Sequence, residues 1–362
     1  MKISKSLIQL AALATASALA LTGCGRGDSE ASSQNSAAGF SKDSVIGVAL
    51  PQKTSENWVF AEKLFNEELK AEGYDANVQF ANGGVTEQQN QISAMITKGA
   101  KVIIVGAIDG SQLGTQLKQA KEADATIIAY DRLLQNTGDV DYHVAYDSFK
   151  IGQLQGQALI EGMQAKKPSG PYNIELFAGS PDDANAKIFF DGAMDVLQPK
   201  IDDGTLKVAS GQTDYNQVVT VGWKAENAQK RMDTLLTAAY SSATLDGVLS
   251  PNDTIARTII TSVKAAGKPL PVVTGQDSDV ESVKSIMADE QYCTINKDIR
   301  EQVGATLQMV ADLQAGKTPE TNSTSNTGVK EIPANLLEPT VVTKKNAKEV
   351  YADNPTLAPL TA

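Results

Sequence analysis

Histidine and cysteine are nearly missing from this 362-residue chain, which holds one histidine, His143, and two cysteines, Cys24 and Cys293. A zinc site needs several His or Cys ligands at short spacings, and a Ser/His/Asp triad would rest on His143 alone, so most metal-centre and triad chemistries are excluded. No cofactor or metal is expected. Aromatic residues make up only 5% of the chain, with two tryptophans, so each aromatic carries weight. An excess of basic residues is also lacking. The net charge of -11 and the absence of Lys/Arg clusters exclude a nucleic-acid partner, whose phosphates need a basic patch. The longest apolar run, Leu7 to Leu21, has about 15 residues and falls short of the roughly 20 that span a bilayer.

That run is preceded by Lys2 and Lys5 and ends in Leu21, Thr22, Gly23, Cys24, the pattern of a lipoprotein signal peptide. Residues 1–23 are read as the signal, Cys24 as the lipidated first residue of the exported chain, and residues 24–43 as a tether. The stretch is rich in Ser, Gly and Ala and has too little apolar surface to order itself. A lipid on Cys24 places the chain on the extracytoplasmic face of the cell membrane. An anchor is most needed where no outer membrane confines the protein, which favours a Gram-positive surface. Cys293, in YCTIN, then has no intrachain partner and reads as a buried, inert thiol.

From Val45 onward, short apolar runs alternate with stretches of helical period, the pattern of parallel sheets with crossover helices. VIGVAL (45–50), NVQFA, KVIIVGA (101–107) and TIIAY (126–130) read as strands. Trp58, Ala61, Phe65 and Leu69 recur on one helical face that ends near Gly73, and helices are expected at 86–98 and 111–123. After HVAYD a second series follows, with helices at 148–165, 184–198, 218–239 and 252–266 and strands at 173–179, 206–211, 246–250 and 271–275. A chain of this length holds two cores. The expected fold is therefore α/β, with two doubly wound, Rossmann-like lobes facing each other.

In open parallel sheets, ligands sit beyond the carboxyl ends of the strands. The candidates are Gln52 to Trp58, Asp109, Asp131, Arg132, Asp182 to Asn185, Asp214, Trp223, Asn252, Asp253, Gln276, Asp277 and Asn296 to Asp298. Carboxylates accept from hydroxyls, Arg and Lys donate and Asn does both, so such a mixture suits a sugar ring, and one Trp from each lobe could cover its faces. Plainer readings stand beside this one. Trp58 fits the apolar stripe of its helix and Trp223 a core or rim position of 218–239. Asp131 and Arg132 could pair with each other, and Asn252 and Asp253 suit a helix N-cap.

GAIDG (106–110), IAYDRL (128–133), GSPDDANAK (179–187), VLSPND (248–253), VVTGQDSD (272–279) and TINKDIRE (294–301) together resemble the pentose- and hexose-binding proteins of ABC importers. The resemblance covers about residues 45–345. It points to the xylose-binding and multiple-sugar-binding branch of the periplasmic-binding-protein type 1 family, and within it to the fructose-importer binding lipoproteins. It implies two lobes joined by a three-strand hinge, with 44–147 plus 279–318 in the first lobe, 148–278 plus 319–345 in the second, and 346–362 as a tail. It implies Trp58 and Trp223 as ring-stacking residues and Asn57, Asp131, Arg132, Asp183, Asn185, Asn252, Asp277 and Lys297 as polar contacts. Asn57 occupies a place where close relatives often carry a basic residue. The implied ligand is a monosaccharide, fructose first and xylose or ribose next, and the implied partners are an ABC permease with its ATPase subunits. The chain itself is expected to be monomeric.

No catalytic residue is assigned. A glycosidase needs a carboxyl of raised pKa, and Arg132 beside Asp131 works the other way. A sugar-responsive transcription regulator would need a basic helix-turn-helix where this chain carries a signal peptide and an acidic tether. A lipid-anchored sugar sensor feeding a signalling kinase would use the same pocket and stands as the alternative.

Overall fold

The computed structural model describes residues 39–362 apart from Thr54. The signal segment, Cys24 and the tether up to residue 38 lie outside the described residues.

The first series runs β1 (Val45–Leu50), α1 (Glu56–Ala71), β2 (Asp75–Phe80), α2 (Val85–Thr97), β3 (Val102–Val105), α3 (Gly114–Glu122), β4 (Thr126–Tyr130) and β5 (Tyr142–Tyr146). The second runs α4 (Ser148–Lys166), β6 (Tyr172–Leu176), α5 (Ala184–Asp202), β7 (Leu206–Val208), α6 (Tyr215–Val218), α7 (Ala225–Ala238), β8 (Gly247–Leu249), α8 (Asp253–Ala265), β9 (Val272–Val273), α9 (Val280–Met287) and β10 (Cys293–Asn296). The chain closes with α10 (Ile299–Gln314), β11 (Ser323–Asn326), β12 (Glu331–Leu337), β13 (Thr340–Thr343) and α11 (Ala347–Val350).

One sheet has the order β11-β12-β5-β4-β3-β1-β2, parallel except for β11. Its central strands, VIIV and TIIAY, are unbroken apolar runs because helices cover both faces. The α1 stripe is buried as its spacing predicts, and fully burying Phe65 or Leu69 stabilises by roughly 2 kcal/mol each. The other sheet has the parallel order β7-β6-β8-β9. Although β9 is two residues long, Tyr292 N–H donates to Val273 O and Ile295 N–H to Gly275 O, both at 3.0 Å. These bonds lay β10 along its continuation, and β13 pairs antiparallel with β10.

Two α/β lobes result. The chain crosses between them three times, at Asp147, at Lys297 and Asp298, and at Glu338 and Pro339, between elements of different sheets. The second and third crossings move the lobe boundaries expected from the sequence. Residues 279–296 belong with the second sheet, whereas β11 and β12 join the first. STSN of β11 is an all-polar edge strand, and β12 is interrupted by Pro333, so neither shows the apolar pattern of a sheet strand. The tail packs Tyr351 and Leu357 against Val283 and Val342 of the second lobe. Cys293 is fully buried, and burial pushes its thiol up to about 12.

The helix expected at 218–239 is broken. Val218 ends α6, and a short 3-10 turn at 221–223 passes through Gly222 (φ 67) and Trp223 (φ 56) before α7 begins at Ala225. Two successive left-handed residues end helical geometry and lift Trp223 out of any helix stripe.

Candidate functional site

β4 delivers Asp131 and Arg132 to the cleft. Asp131 adopts a left-handed backbone (φ 62), which Asp tolerates, and its carbonyl accepts from His143 Nε2 at 3.1 Å and Asn185 Nδ2 at 3.2 Å. Burial pushes the His143 pKa down, so the neutral ring carries its proton on Nε2 while Nδ1 accepts from the Ser325 hydroxyl at 2.8 Å. The sole histidine thus positions an acid rather than performing chemistry. Asn185 Nδ2 also reaches Asp131 Oδ1 at 3.0 Å. The Arg132 guanidinium donates through Nη1 to Ala107 O at 3.0 Å and lies 5.3 Å from the Trp58 ring centroid.

From the second lobe, Asp183 caps α5 by accepting from Asn185 N–H at 2.9 Å. Its other oxygen stands 2.9 Å from Arg132 Nε across the cleft and accepts from Trp223 Nε1 at 3.0 Å. Burial raises the Asp183 pKa, against the opposing pull of Arg132. Trp223 owes its seat to Gly179, where an added Cβ would fall 2.2 Å from the indole. Asn252 caps α8 through Oδ1, which accepts from Ile255 N–H at 2.9 Å, and its amide nitrogen points across the cleft to Ser55 Oγ at 3.5 Å. Lys297 Nζ lies 2.9 Å from Asp277 Oδ1 and 5.7 Å from the Phe189 ring centroid. Burial works against its charge, but Asp277 and Asp131 outweigh it and hold the amine up at about 12.

A tight cavity of about 20 Å3, closed down between the lobes, brings together Asn57, Trp58, Asp131, Arg132, Asp183, Trp223, Asn252, Asp277 and Lys297. Asn185 stands behind it, holding Asp131. Ser55, Phe189 and Gln276 complete the lining. Gln276 is legible as a strand-end residue. Phe189 lies four residues after Asn185 on α5, so the helical repeat places it on the same face. Both tryptophans are nearly buried, and each serves core and pocket at once. A wider cleft beside this cavity, walled by α1, Val280 and Leu357, shares Asn57, Asp277 and Lys297 but lacks both the tryptophans and the Arg132–Asp183 pair.

Four buried polar atoms on the cavity make no hydrogen bond among the described residues: Asn57 Oδ1, Arg132 Nε, Gln276 Oε1 and Asp277 Oδ1. Arg132 Nε and Asp277 Oδ1 each have an ionic partner at 2.9 Å, which leaves Asn57 Oδ1 and Gln276 Oε1 as the two without any partner among the described residues. Two unpaired amide oxygens and two ion pairs therefore meet at a space walled by Trp58, Phe189 and Trp223. Among the described residues, no group of His, Cys, Asp and Glu is placed to hold a metal ion, and no helix is long and apolar enough to cross a membrane.

Two lobes, three crossings and a polar pocket between facing strand ends define a hinged ligand-binding protein. A family model for the periplasmic binding protein domain matches residues 46–318, and the chain belongs to that family. It is 45% identical over 316 residues to the multiple sugar-binding periplasmic receptor ChvE of Rhizobium radiobacter, covering 85% of this chain and 89% of the relative. It is 34% identical over 313 residues to the D-xylose-binding periplasmic protein of Escherichia coli K12, covering 86% and 90%. An ABC transporter solute binding protein from Clostridium phytofermentans, solved with bound β-D-glucose, superposes with a TM-score of 0.83 at 35% identity, over 88% of this chain and 100% of that one. These relatives are binding proteins, and the chain belongs with them rather than with enzymes.

Proposed function

We propose that this protein captures a monosaccharide between its lobes and delivers it to the membrane permease of an ABC importer. The observation that carries the reading is the set of two unpaired amide oxygens and two ion pairs on an aromatic-walled cavity. Sugar hydroxyls donate to the amide oxygens and carboxylates and accept from the cations, and the ring's C–H faces lie against the indoles. Asp131, Asp183 and Asp277 outnumber Arg132 and Lys297, so a neutral polyol is favoured over a sugar acid. The relatives, a multiple-sugar receptor, a D-xylose-binding protein and a binding protein solved with β-D-glucose, support setting xylose and glucose beside fructose and ribose as candidates. Sugar binding then shifts an open-closed equilibrium toward the form the permease recognises.

Calorimetry of the full chain against fructose, xylose, ribose, glucose, galactose, arabinose and gluconate tests this. At least one neutral sugar is expected to bind and gluconate to bind far more weakly. Binding of none of the neutral sugars overturns the reading. The sequence around Cys24 supports a lipid tether on the extracytoplasmic face of a Gram-positive membrane. Fatty-acid labelling of the expressed protein should be lost in Cys24→Ala. Unchanged labelling rejects the anchor.

A further inference from the structure

Gln276 and Asn57 are the neutral pocket residues whose side-chain oxygens make no hydrogen bond among the described residues, and of the two only Gln276 lines this cavity without also lining the wider cleft beside it. The Gln276 carbonyl accepts from Asp253 N–H at 3.0 Å, and its side chain is 2% exposed. The backbone then turns through Asp277 (φ 101) and Ser278 (φ 56), two left-handed residues directly after Gln276 reaches the cavity lining. Oε1 accepts no hydrogen bond among the described residues. Turning the amide over would only replace an unpaired acceptor with an unpaired donor. The charged groups differ: Arg132 faces Asp183 and Lys297 faces Asp277, both at 2.9 Å.

We propose that Gln276 is a specificity-determining residue, whose Oε1 accepts from one ring hydroxyl and so dictates which ring position must carry a free hydroxyl. This rests on the reading of the cavity as a monosaccharide site. Paired charges attract any nearby hydroxyl over several ångströms, whereas a neutral amide acts only through a directed bond. A sugar lacking the hydroxyl opposite Gln276 leaves Oε1 buried and unpaired, and sites built to bond a hydroxyl discriminate strongly against analogues without it.

The test is calorimetry of the full chain and its Gln276→Met variant with D-glucose, D-xylose, D-fructose and the monodeoxy analogues of each. Wild type should bind one deoxy analogue about 10- to 100-fold more weakly than its parent sugar, as expected for one unmade buried bond. In Gln276→Met the gap at that position should shrink to within about threefold while the gaps at other positions persist. A gap that survives the substitution, or an equal loss for every analogue, overturns the inference while leaving the sugar site intact. Failure of wild type to bind any of the three parents overturns both. Should Gln276→Met not fold, as judged by its melting curve, Gln276→Asn must move the same single position, and a uniform effect there counts against the proposal equally.

Discussion

Asp183→Asn separates the two duties of one carboxylate. Asn retains the N-cap of α5, since its side-chain oxygen can accept from Asn185 N–H as the Asp does, and isolated cap exchange between these residues is nearly neutral. What it removes is the negative partner that stands 2.9 Å from Arg132 Nε across the cleft. Because Arg132 follows β4 in one sheet and Asp183 follows β6 in the other, that pairing exists only when the lobes meet. Removing one partner of a buried pair costs about 3–5 kcal/mol. Asp131 remains in the same cavity and offsets part of the exposed Arg132 charge, so the lower figure of about 3 kcal/mol applies. The loss of the Arg132 partner falls on the closed state alone, whereas the bond accepted from Trp223 Nε1 within the second lobe is given up in both states, at about 1 kcal/mol. Sugar affinity should therefore drop about two powers of ten, while the ligand-free urea midpoint falls only by that smaller cost. Calorimetry with the tightest-binding sugar, alongside urea unfolding without sugar, separates the two effects. A dissociation constant within threefold of wild type would refute the reasoning, as would an equal loss of ligand-free stability. Arg132→Met combined with Asp183→Asn should recover part of the loss, because no unmatched charge is then buried.

Gly179→Ala should weaken sugar binding at least about tenfold, because the added methyl displaces the Trp223 indole; intrinsic fluorescence and calorimetry check this, and unchanged affinity rejects Trp223 as a wall of the site. Asp279 carries a buried carboxyl pushed up to about 7 by burial and then by Asp277, with Arg257 opposing. Between the ordinary carboxylate range near 4 and that value, the folded chain holds a proton the unfolded chain releases, so stability is lost as pH rises through this window. Asp279→Asn should remove that component, giving a urea midpoint that falls less from pH 4 to 7 than wild type, and parallel curves contradict it. Cys293 should resist thiol reagents in the native protein and react on unfolding, as peptide-resolved mass spectrometry would show; native labelling at Cys293 contradicts its burial.

How far the sequence carries depends on whether a residue acts through periodicity or through long-range packing. The α1 stripe was legible because Trp58, Ala61, Phe65 and Leu69 answer only to the helical repeat. The strand ends were legible because parallel sheets converge their loops there, and nine of the ten expected sugar contacts line one cavity. The tenth, Asn185, bonds the Asp131 carbonyl, a contact across 54 residues that no local pattern encodes. Trp223 was misplaced because its stretch reads as continuous helix, while the backbone breaks at Gly222 to let the indole fill the space that Gly179 leaves. β11 was invisible because STSN pairs on an exposed edge and carries no apolar signal.

Closure and occupancy are linked through the same atoms. Bringing the lobes together seats Arg132 against Asp183 and Asn185 against Asp131, and these contacts require charged and polar groups to leave water. Without a ligand, the closed cavity also keeps Asn57 Oδ1 and Gln276 Oε1 without a partner among the described residues, each costing about 1–3 kcal/mol. Those penalties make closure around nothing unfavourable, and a polyol that donates to the two oxygens removes them. The hinge reinforces the link. Lys297 lines the cavity, and its neighbour Asp298 caps α10 by accepting from Arg300 N–H at 2.9 Å, so the second crossing runs straight from ligand contact into a helix of the other lobe. Asp147 at the first crossing caps α4 in the same way. Rotation is thereby confined to the few bonds between a strand end and a fixed helix start, and the lobe angle becomes a readout of whether the pocket's hydrogen bonds are made.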